Sequence, residues 1–429
     1  MNYKETVLVT GGTGFVGIRT ILQLLQQGYD VHTTLRSLSR KDEIINALQV
    51  EGITNFEQLC FFEADLTNDT GWDEAAKDCT YVLHVASPFP LVEPEDENEL
   101  IIPARDGTLR VLKAAKKAGV KRVVLTSSFA AVGFSISPKG HLFTEEDWTD
   151  ENAPIQPYIK SKTIAEKAAW NFIKESGGDI ELTVINPVGI FGPIIGGIIP
   201  ASYNGAIKAI IDGTVTESPA FTFAVVDVRD VAWLHIQAML HPKANGERFI
   251  AASDGAVSFY DIARIIKNER TEKAGRIADL KPVGEDFYVH ISNRKAKDFF
   301  NWNPIPKEEA ILASVDTGDK GTIKLPKVLS DLIRAQDNFG SAAYANCFSE
   351  KAIIFDEGKT YIGRTEIQRW VHITNEEYKT VMKPIYYSAT GQILKAEVSG
   401  NFDGSPIVLN YHFEIVDNLV ASLKITFTV

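Results

Sequence analysis

A short β-branched run, Thr6 to Thr10, ends in Gly11-Gly12-Thr13-Gly14-Phe15-Val16-Gly17, and a helical pattern from Ile18 to Gln27 follows at once. Strand, glycine loop and helix in that order constrain the chain more than any other feature, because each glycine has a mechanical reason to be there. Gly11 permits a tight turn, Gly14 lets backbone approach a pyrophosphate, and Gly17 brings the helix close to the strand while its N-terminal N–H groups face an anion. Thr13, Phe15 and Val16 complete the expected nucleotide loop. A glycine-rich turn with no ligand is the bland alternative, and the strand before it and the helix after it argue against that.

The same alternation continues to about residue 190. Candidate strands are Thr6 to Thr10, Val31 to Leu35, Leu59 to Phe62, Tyr81 to Val85, Arg122 to Thr126 and Glu181 to Asn186, separated by helical segments such as Thr108 to Ala118. Most of these strands are apolar throughout, as strands covered on both faces are. The expected fold is therefore α/β, a doubly wound parallel sheet of the Rossmann type.

At the end of the second strand an NAD site usually places a carboxylate on the ribose hydroxyls. This chain reads Thr33-Thr34-Leu35-Arg36-Ser37, with Arg40 and Lys41 close behind. A guanidinium there suits a 2′-phosphate, so Arg36 and Lys41 point to NADPH, the alternative being a solvated basic cluster.

At 429 residues with 45% hydrophobic content the chain is long enough for two cores. The first unit is expected over residues 1–317, with a small substrate lobe mainly in 189–225 and 255–315, and the second over 318–429. Gly189 to Pro219, rich in Gly, Pro and Ile, reads as an irregular excursion, and Asp316 to Gly321 as the linker. After it come an amphipathic helix (Leu325, Val328, Leu329, Leu332, Ile333) and alternating strands, with Ile407, Leu409, Tyr411, Phe413 and Ile415 on one face and Leu423, Ile425, Phe427 and Val429 forming a similar set. That pattern predicts an antiparallel sheet with one buried face, turned at Asp403-Gly404 and Asp417-Asn418.

The net charge of −12 argues against nucleic-acid binding. Cys60, Cys79 and Cys347 are far apart and show neither zinc nor disulfide spacing, which fits reduced thiols in a cytoplasmic protein. The run Val7-Leu8-Val9 is too short for a signal-peptide core, and no stretch approaches the roughly 18 apolar residues of a membrane helix. No metal site is expected.

Tyr158-Ile159-Lys160-Ser161-Lys162 falls at the start of a predicted helix, which puts Tyr158 and Lys162 one turn apart on one face. A lysine ammonium there is expected to favour the phenolate and bring the tyrosine toward neutrality. Thr126-Ser127-Ser128 ends a preceding strand, on the side where open α/β sheets bind ligands. With hydride from NADPH, these groups suit reduction of a small carbonyl compound. His84 lies in a predicted buried strand and reads as a satisfied core imidazole.

Together these residues resemble the extended short-chain dehydrogenase/reductase family, part of the NAD-dependent epimerase/dehydratase superfamily, over about residues 5 to 315. Within it the likeness is to dihydroflavonol-reductase-like aldehyde and ketone reductases. It is carried also by Ala64-Asp65-Leu66-Thr67, Gly71-Trp72-Asp73-Glu74-Ala75, His84-Val85-Ala86-Ser87-Pro88, Asn186-Pro187-Val188 and Val226-Asp227-Val228-Arg229-Asp230-Val231. The resemblance implies that Ser128 hydrogen-bonds the substrate carbonyl, Tyr158 donates the proton, and Lys162 holds the nicotinamide ribose and tunes Tyr158. Asp65 and Leu66 match adenine-contacting positions, and Ala86, Pro187 and Val188 match those near the nicotinamide ribose and ring. Ser127 is the competing serine. Asp106 stands where many relatives carry an asparagine, which puts a water relay through that residue in doubt. Substrate contacts are expected from Phe89, Phe191, Ile194 and Tyr203, mostly apolar.

Residues from about 322 resemble the SnoaL-like, nuclear-transport-factor-2-like domains through Phe348-Ser349-Glu350-Lys351-Ala352-Ile353, Tyr361-Ile362-Gly363-Arg364-Thr365-Glu366-Ile367 and Ser399 to Pro406. This implies an α+β cone with a curved antiparallel sheet, able to hold an apolar ligand, to host isomerase or cyclase chemistry, or to pair two chains as a homodimer. Asp356, His372, Tyr411 and His412 are its candidate polar residues. The competing readings for the whole chain are a nucleotide-sugar epimerase or dehydratase with retained NAD, and a non-catalytic cofactor sensor or ligand-binding protein.

Overall fold

The computed structural model describes residues 5–88, 94, 96–137, 139–318, 325–388, 391–402 and 404–427. The chain forms two compact units, Met1–Gly321 and Thr322–Val429.

The first unit is built on seven parallel strands, numbered here in chain order: β1 Thr6–Val9, β2 Asp30–Leu35, β3 Leu59–Glu63, β4 Tyr81–His84, β5 Arg122–Thr126, β6 Glu181–Pro187 and β7 Arg248–Ala251. Their order across the sheet is β7-β6-β5-β4-β1-β2-β3. The order reverses beside β1, so the crevice at the carboxyl ends of β1 and β4 is the topological switch point where such sheets bind ligands.

Both faces are covered, and the side chains divide as a two-residue period requires. Val7, Val9, Tyr81, Leu83 and Val124 pack under Phe15–Gln26, Lys41–Val50 and Val228–Leu240. Leu8, Val82, Val123 and Leu125 pack under Trp72–Ala76, Asn98–Lys117 and Pro157–Glu175. No described helix is long and apolar enough to cross a membrane.

The small lobe has a three-stranded sheet, Ala256–Val257, Phe223–Asp227 and Gly189–Phe191, with Phe259–Glu269 and Lys307–Gly318 packed around it. The Gly189 to Pro219 segment is therefore less irregular than its composition suggests: it opens with a strand and contains π-helical turns over Tyr203–Lys208. The expected linker also begins too early. Asp316, Thr317 and Gly318 are the last turn of a helix, held by a bidentate Arg270–Asp316 pair (2.6 Å at each nitrogen) and by the Ile194 N–H donating to Thr317 Oγ1 (2.8 Å). A Cβ on Gly318 would lie 2.0 Å from the Tyr203 ring, so polar, glycine-containing composition here marks a tight contact. Of the expected linker only 319–321, outside the described residues, lie beyond the helix.

The second unit has helices Lys327–Asp337, Ser341–Asn346 and Gly363–Tyr378 and a six-stranded sheet. That sheet is mixed rather than purely antiparallel. Phe348–Asp356 runs parallel to Leu419–Phe427, because the last strand enters between it and Ile407–Val416. Asp417 and Asn418 have positive φ (51° and 60°) and make the two-residue turn anticipated from sequence. Ile354, Leu394, Ala396, Tyr411, Phe413 and Leu423 form the buried face, whereas Phe427 is 65% exposed at the end of its strand. Asp403 and Val429 lie outside the described residues.

Candidate active site

The nucleotide end of the site is shaped by close backbone approaches. Gly11 has φ +73°, and a Cβ there would lie 3.0 Å from Ala86 Cα. A Cβ on Gly17 would lie 2.3 Å from the Gly11 carbonyl oxygen, so the helix Phe15–Gln26 can start this near β1 only with glycine at that position. Gly14, exposed at the N-cap, has no side chain to cap that helix, which leaves its first turn available to an anion. Thr13 and Phe15 are half-buried and Val16 is buried.

Thr10 ties β1 to β4. Its Oγ1 accepts the N–H groups of Val85 and Ala86 (3.0 Å each), so its own proton goes to His84 Nδ1 at 2.8 Å. Burial and the nearby Lys162 ammonium push His84 down to about 3, and the ring is neutral.

Arg36 and Lys41 are exposed and have no ion pair among the described residues, while Arg40 is committed to Glu43 at 3.0 and 2.8 Å. Asp65 accepts the hydroxyl (2.6 Å) and N–H (2.8 Å) of Thr67, which hold it below the usual carboxylate range, with Arg36 and Arg110 contributing. Leu66 packs against Gly107, where a Cβ would come within 2.8 Å of it. The geometry therefore offers an open glycine cradle and uncommitted cations at the strand end, a donor set that fits the phosphates of NADPH.

At the other end of the candidate site, Pro157 occupies the first position of the helix Pro157–Glu175, where its missing N–H costs nothing, and Tyr158 and Lys162 follow one turn apart. The Tyr158 hydroxyl is hydrogen-bonded to Ser128. Burial raises Tyr158 to about 12, and the group opposing that rise is Ser128. The expectation that Lys162 would bring the tyrosine toward neutrality does not hold: burial dominates, and Lys162 is not among the groups that move Tyr158. Lys162 is itself 7% exposed, and burial lowers it to about 8, with Glu166 acting in the opposite direction.

The two serines have different partners. Ser127 donates to Glu166 Oε2 at 2.5 Å, whereas Ser128 Oγ accepts the Ala130 N–H at 3.1 Å and faces Tyr158. Pro187 is buried, its carbonyl accepting the Phe129 N–H at 2.8 Å, and the Val188 N–H donates to Ala251 at 3.2 Å. Asp106 is half-buried and accepts from Arg105 Nε at 2.7 Å. Its neighbours Ala104 and Thr108, not Asp106, face a small internal cavity that Lys162 also lines.

Phe191, Ile194 and Tyr203 are only 1%, 7% and 3% exposed and belong to the core of the small lobe, with Ile207, Ile210 and Val315. They pack the lobe instead of forming an open wall. Phe89 lies outside the described residues. Sequence reasoning missed Glu166. The available signal was an acid four residues after the lysine, but its partner Arg248 is 82 residues away.

The profile of the NAD-dependent epimerase/dehydratase family matches residues 7–252. The chain belongs to that family. Cinnamoyl-CoA reductase of Medicago truncatula is 34% identical over 304 residues, covering 69% of this chain and 90% of that one. Dihydroflavonol 4-reductase of Hordeum vulgare is 31% identical over 339 residues, covering 76% and 92%. Among solved structures, yeast methylglyoxal/isovaleraldehyde reductase Gre2 in complex with NADPH superposes with a TM-score of 0.65 at 28% identity, covering 73% of this chain and 98% of that one. These relatives of the chain are reductases, and the similar yeast structure holds NADPH.

In the second unit, Asp356 and Tyr411 come from strands whose register puts both on the buried face, and desolvation raises Asp356 to about 6. His372 is exposed, and His412 is hydrogen-bonded to Thr426 at 3.1 Å.

Proposed function

We propose that this protein uses NADPH to reduce a small aldehyde or ketone to the alcohol, with Tyr158 as proton donor. The observation that carries the reading is the hydroxyl pair: Tyr158 is hydrogen-bonded to Ser128, while the neighbouring Ser127 is committed to Glu166. NADPH, when bound, supplies the hydride. The protein's own residues do the rest. Tyr158 stays protonated at neutral pH, so it holds a proton to give as negative charge develops on the carbonyl oxygen. Ser128 donates a second hydrogen bond to that oxygen, and Lys162, still an ammonium at pH 7, adds a positive charge beside the tyrosine and hydroxyl-binding capacity for the ribose.

Arg36 and Lys41 take the 2′-phosphate, and the first turn after Gly14 takes the pyrophosphate. Asp65 and Leu66 flank the adenine, with Ala86, Pro187 and Val188 near the nicotinamide. The uncommitted Arg36 at the strand end also weighs against the epimerase reading with retained NAD. The second unit is read as a SnoaL-like domain attached to a cytoplasmic reductase, pairing two chains or holding an apolar ligand. The reductase domain extends through the helix that ends at Gly318.

A panel of aldehydes and ketones, followed by NADPH oxidation, tests the reading together with Tyr158→Phe. The variant is expected to bind NADPH and lose most turnover with the best substrate. Near-normal turnover in Tyr158→Phe would remove Tyr158 from the role of acid.

A further inference from the structure

Glu166 is 1% exposed and has an unusual set of partners. Its carboxylate accepts from Ser127 Oγ (2.5 Å), Arg248 Nε (2.6 Å), Asn186 Nδ2 (2.7 Å) and Trp170 Nε1 (3.2 Å). Ser127 follows the last residue of β5, Asn186 is next to last in β6 and Arg248 opens β7, so one side chain joins the helix Pro157–Glu175 to three strands. A buried carboxylate retained at this position needs a reason beyond packing, because an ion pair in the interior is often no more stable than apolar residues of similar volume.

The reason lies one helical turn away. Lys162 is buried, has no hydrogen bond or ion pair to a described residue, and shares with Glu166 a small cavity also lined by Ser87, Thr108, Thr126 and Ser127. Such a polar hollow suits a bridging water. We propose that Glu166 is a positioning residue that holds the buried Lys162 as an ammonium and locks Ser127 out of the reaction, leaving Ser128 as the hydroxyl partner of Tyr158. This rests on the catalytic reading above for its consequence, though not for its physics.

The charges around Lys162 support that assignment. From its own helix it faces Tyr158, protonated, and Glu166. From β4 it faces His84, neutral because Thr10 donates to its Nδ1. The helix Asn98–Lys117 presents Ala104 and Thr108 to the cavity, neither of them ionisable. From β7 comes Arg248, which is paired with Glu166 and does not line the cavity. Glu166 is thus the one anion among these groups.

The test measures Lys162 directly in ligand-free protein by NMR of ¹³Cε-labelled lysine, its resonance assigned by loss in Lys162→Met. The wild-type midpoint is expected near 8. Glu166→Gln removes the anion, and the midpoint should fall by about one pH unit, tenfold in the deprotonated fraction. The alkaline limb of kcat/KM with NADPH and the best carbonyl substrate should move with it. Glu166→Asp and Ser127→Ala keep the charge and should leave the midpoint in place even where stability drops. The double variant Glu166→Gln with Arg248→Met removes both halves of the buried pair, should lower the midpoint in the same way, and keeps the idea testable if Glu166→Gln alone does not fold. A midpoint unmoved in Glu166→Gln, or in the double variant, overturns the proposal. Retained activity in Lys162→Met alongside a shifted midpoint in Glu166→Gln would instead refute the catalytic role of Lys162 and leave the coupling standing.

Discussion

Ser127→Ala and Ser128→Ala each remove one hydroxyl, from adjacent residues, and the structure assigns the two losses to different ledgers. The Ser127 hydroxyl donates to a buried carboxylate at 2.5 Å. Charge-assisted bonds of that kind are worth about 1.5 to 3 kcal/mol, and because Glu166 keeps three other donors the lower half of that range applies, about 2 kcal/mol of stability. The Ser128 hydroxyl is half-buried and partners Tyr158. Its removal should change stability by less than about 1 kcal/mol, yet lower kcat about a hundred- to a thousandfold, or about 2.7 to 4 kcal/mol of barrier, the usual effect of deleting a donor aimed at a developing oxyanion. Urea unfolding and steady-state NADPH oxidation on the same two preparations give both numbers. If Ser127→Ala lost as much turnover as Ser128→Ala while remaining as stable as wild type, the division of labour between the serines would be wrong.

Arg36→Asp should move coenzyme preference from NADPH toward NADH by at least about tenfold, since it replaces a charge-assisted phosphate contact with repulsion; equal use of both coenzymes by the wild type would refute the reading of Arg36. Burial lowers the folded pKa of His84 to about 3 and of His235 to about 4, so below the ordinary value of 6.5 the unfolded chain takes up protons that the folded one refuses. Their contribution to stability is complete above pH 6.5 and is lost as pH falls through 4 toward 3; urea midpoints at pH 7 and pH 5 check it, and His84→Asn should flatten part of the slope. A chain ending after Gly321 should stay folded and keep its NADPH-dependent reduction, as every assigned site residue precedes that point; a soluble, NADPH-binding truncation without reduction would show that the second unit completes the site.

Much of the fold was legible because the central strands are apolar runs covered on both faces, and those from Thr6 to Pro187 lie where such runs predict them. Arg248–Ala251 is four residues long and opens with an arginine, so nothing in its pattern announced a strand. The helix Asn98–Lys117 begins a full ten residues before its clear periodicity, since Pro103 and Gly107 are poor helix formers locally. Burial of Leu100, Ile101 and Ala104 and the close fit of Gly107 on Leu66 override that preference. Of the candidate site, the spacing of Tyr158 and Lys162 and the position of the paired serines at a strand end were legible from sequence, and the structure brings Tyr158 and Ser128 together. Which serine faces the tyrosine depends on Glu166 and Arg248, whose meeting is set by tertiary structure alone. Phe191, Ile194 and Tyr203 illustrate a different limit, as an apolar side chain reads the same whether it lines a pocket or fills a core.

The helix Lys307–Gly318 is clamped at its last turn by Arg270 on Asp316, by the Ile194 N–H on Thr317 and by the Tyr203 ring against Gly318. Tension applied through the residues that follow would enter at that turn and be borne by the small lobe before it reached the glycine loop. Load from whatever follows Gly321 therefore meets a side-chain clamp in the small lobe, and the strands beneath the glycine loop lie behind it.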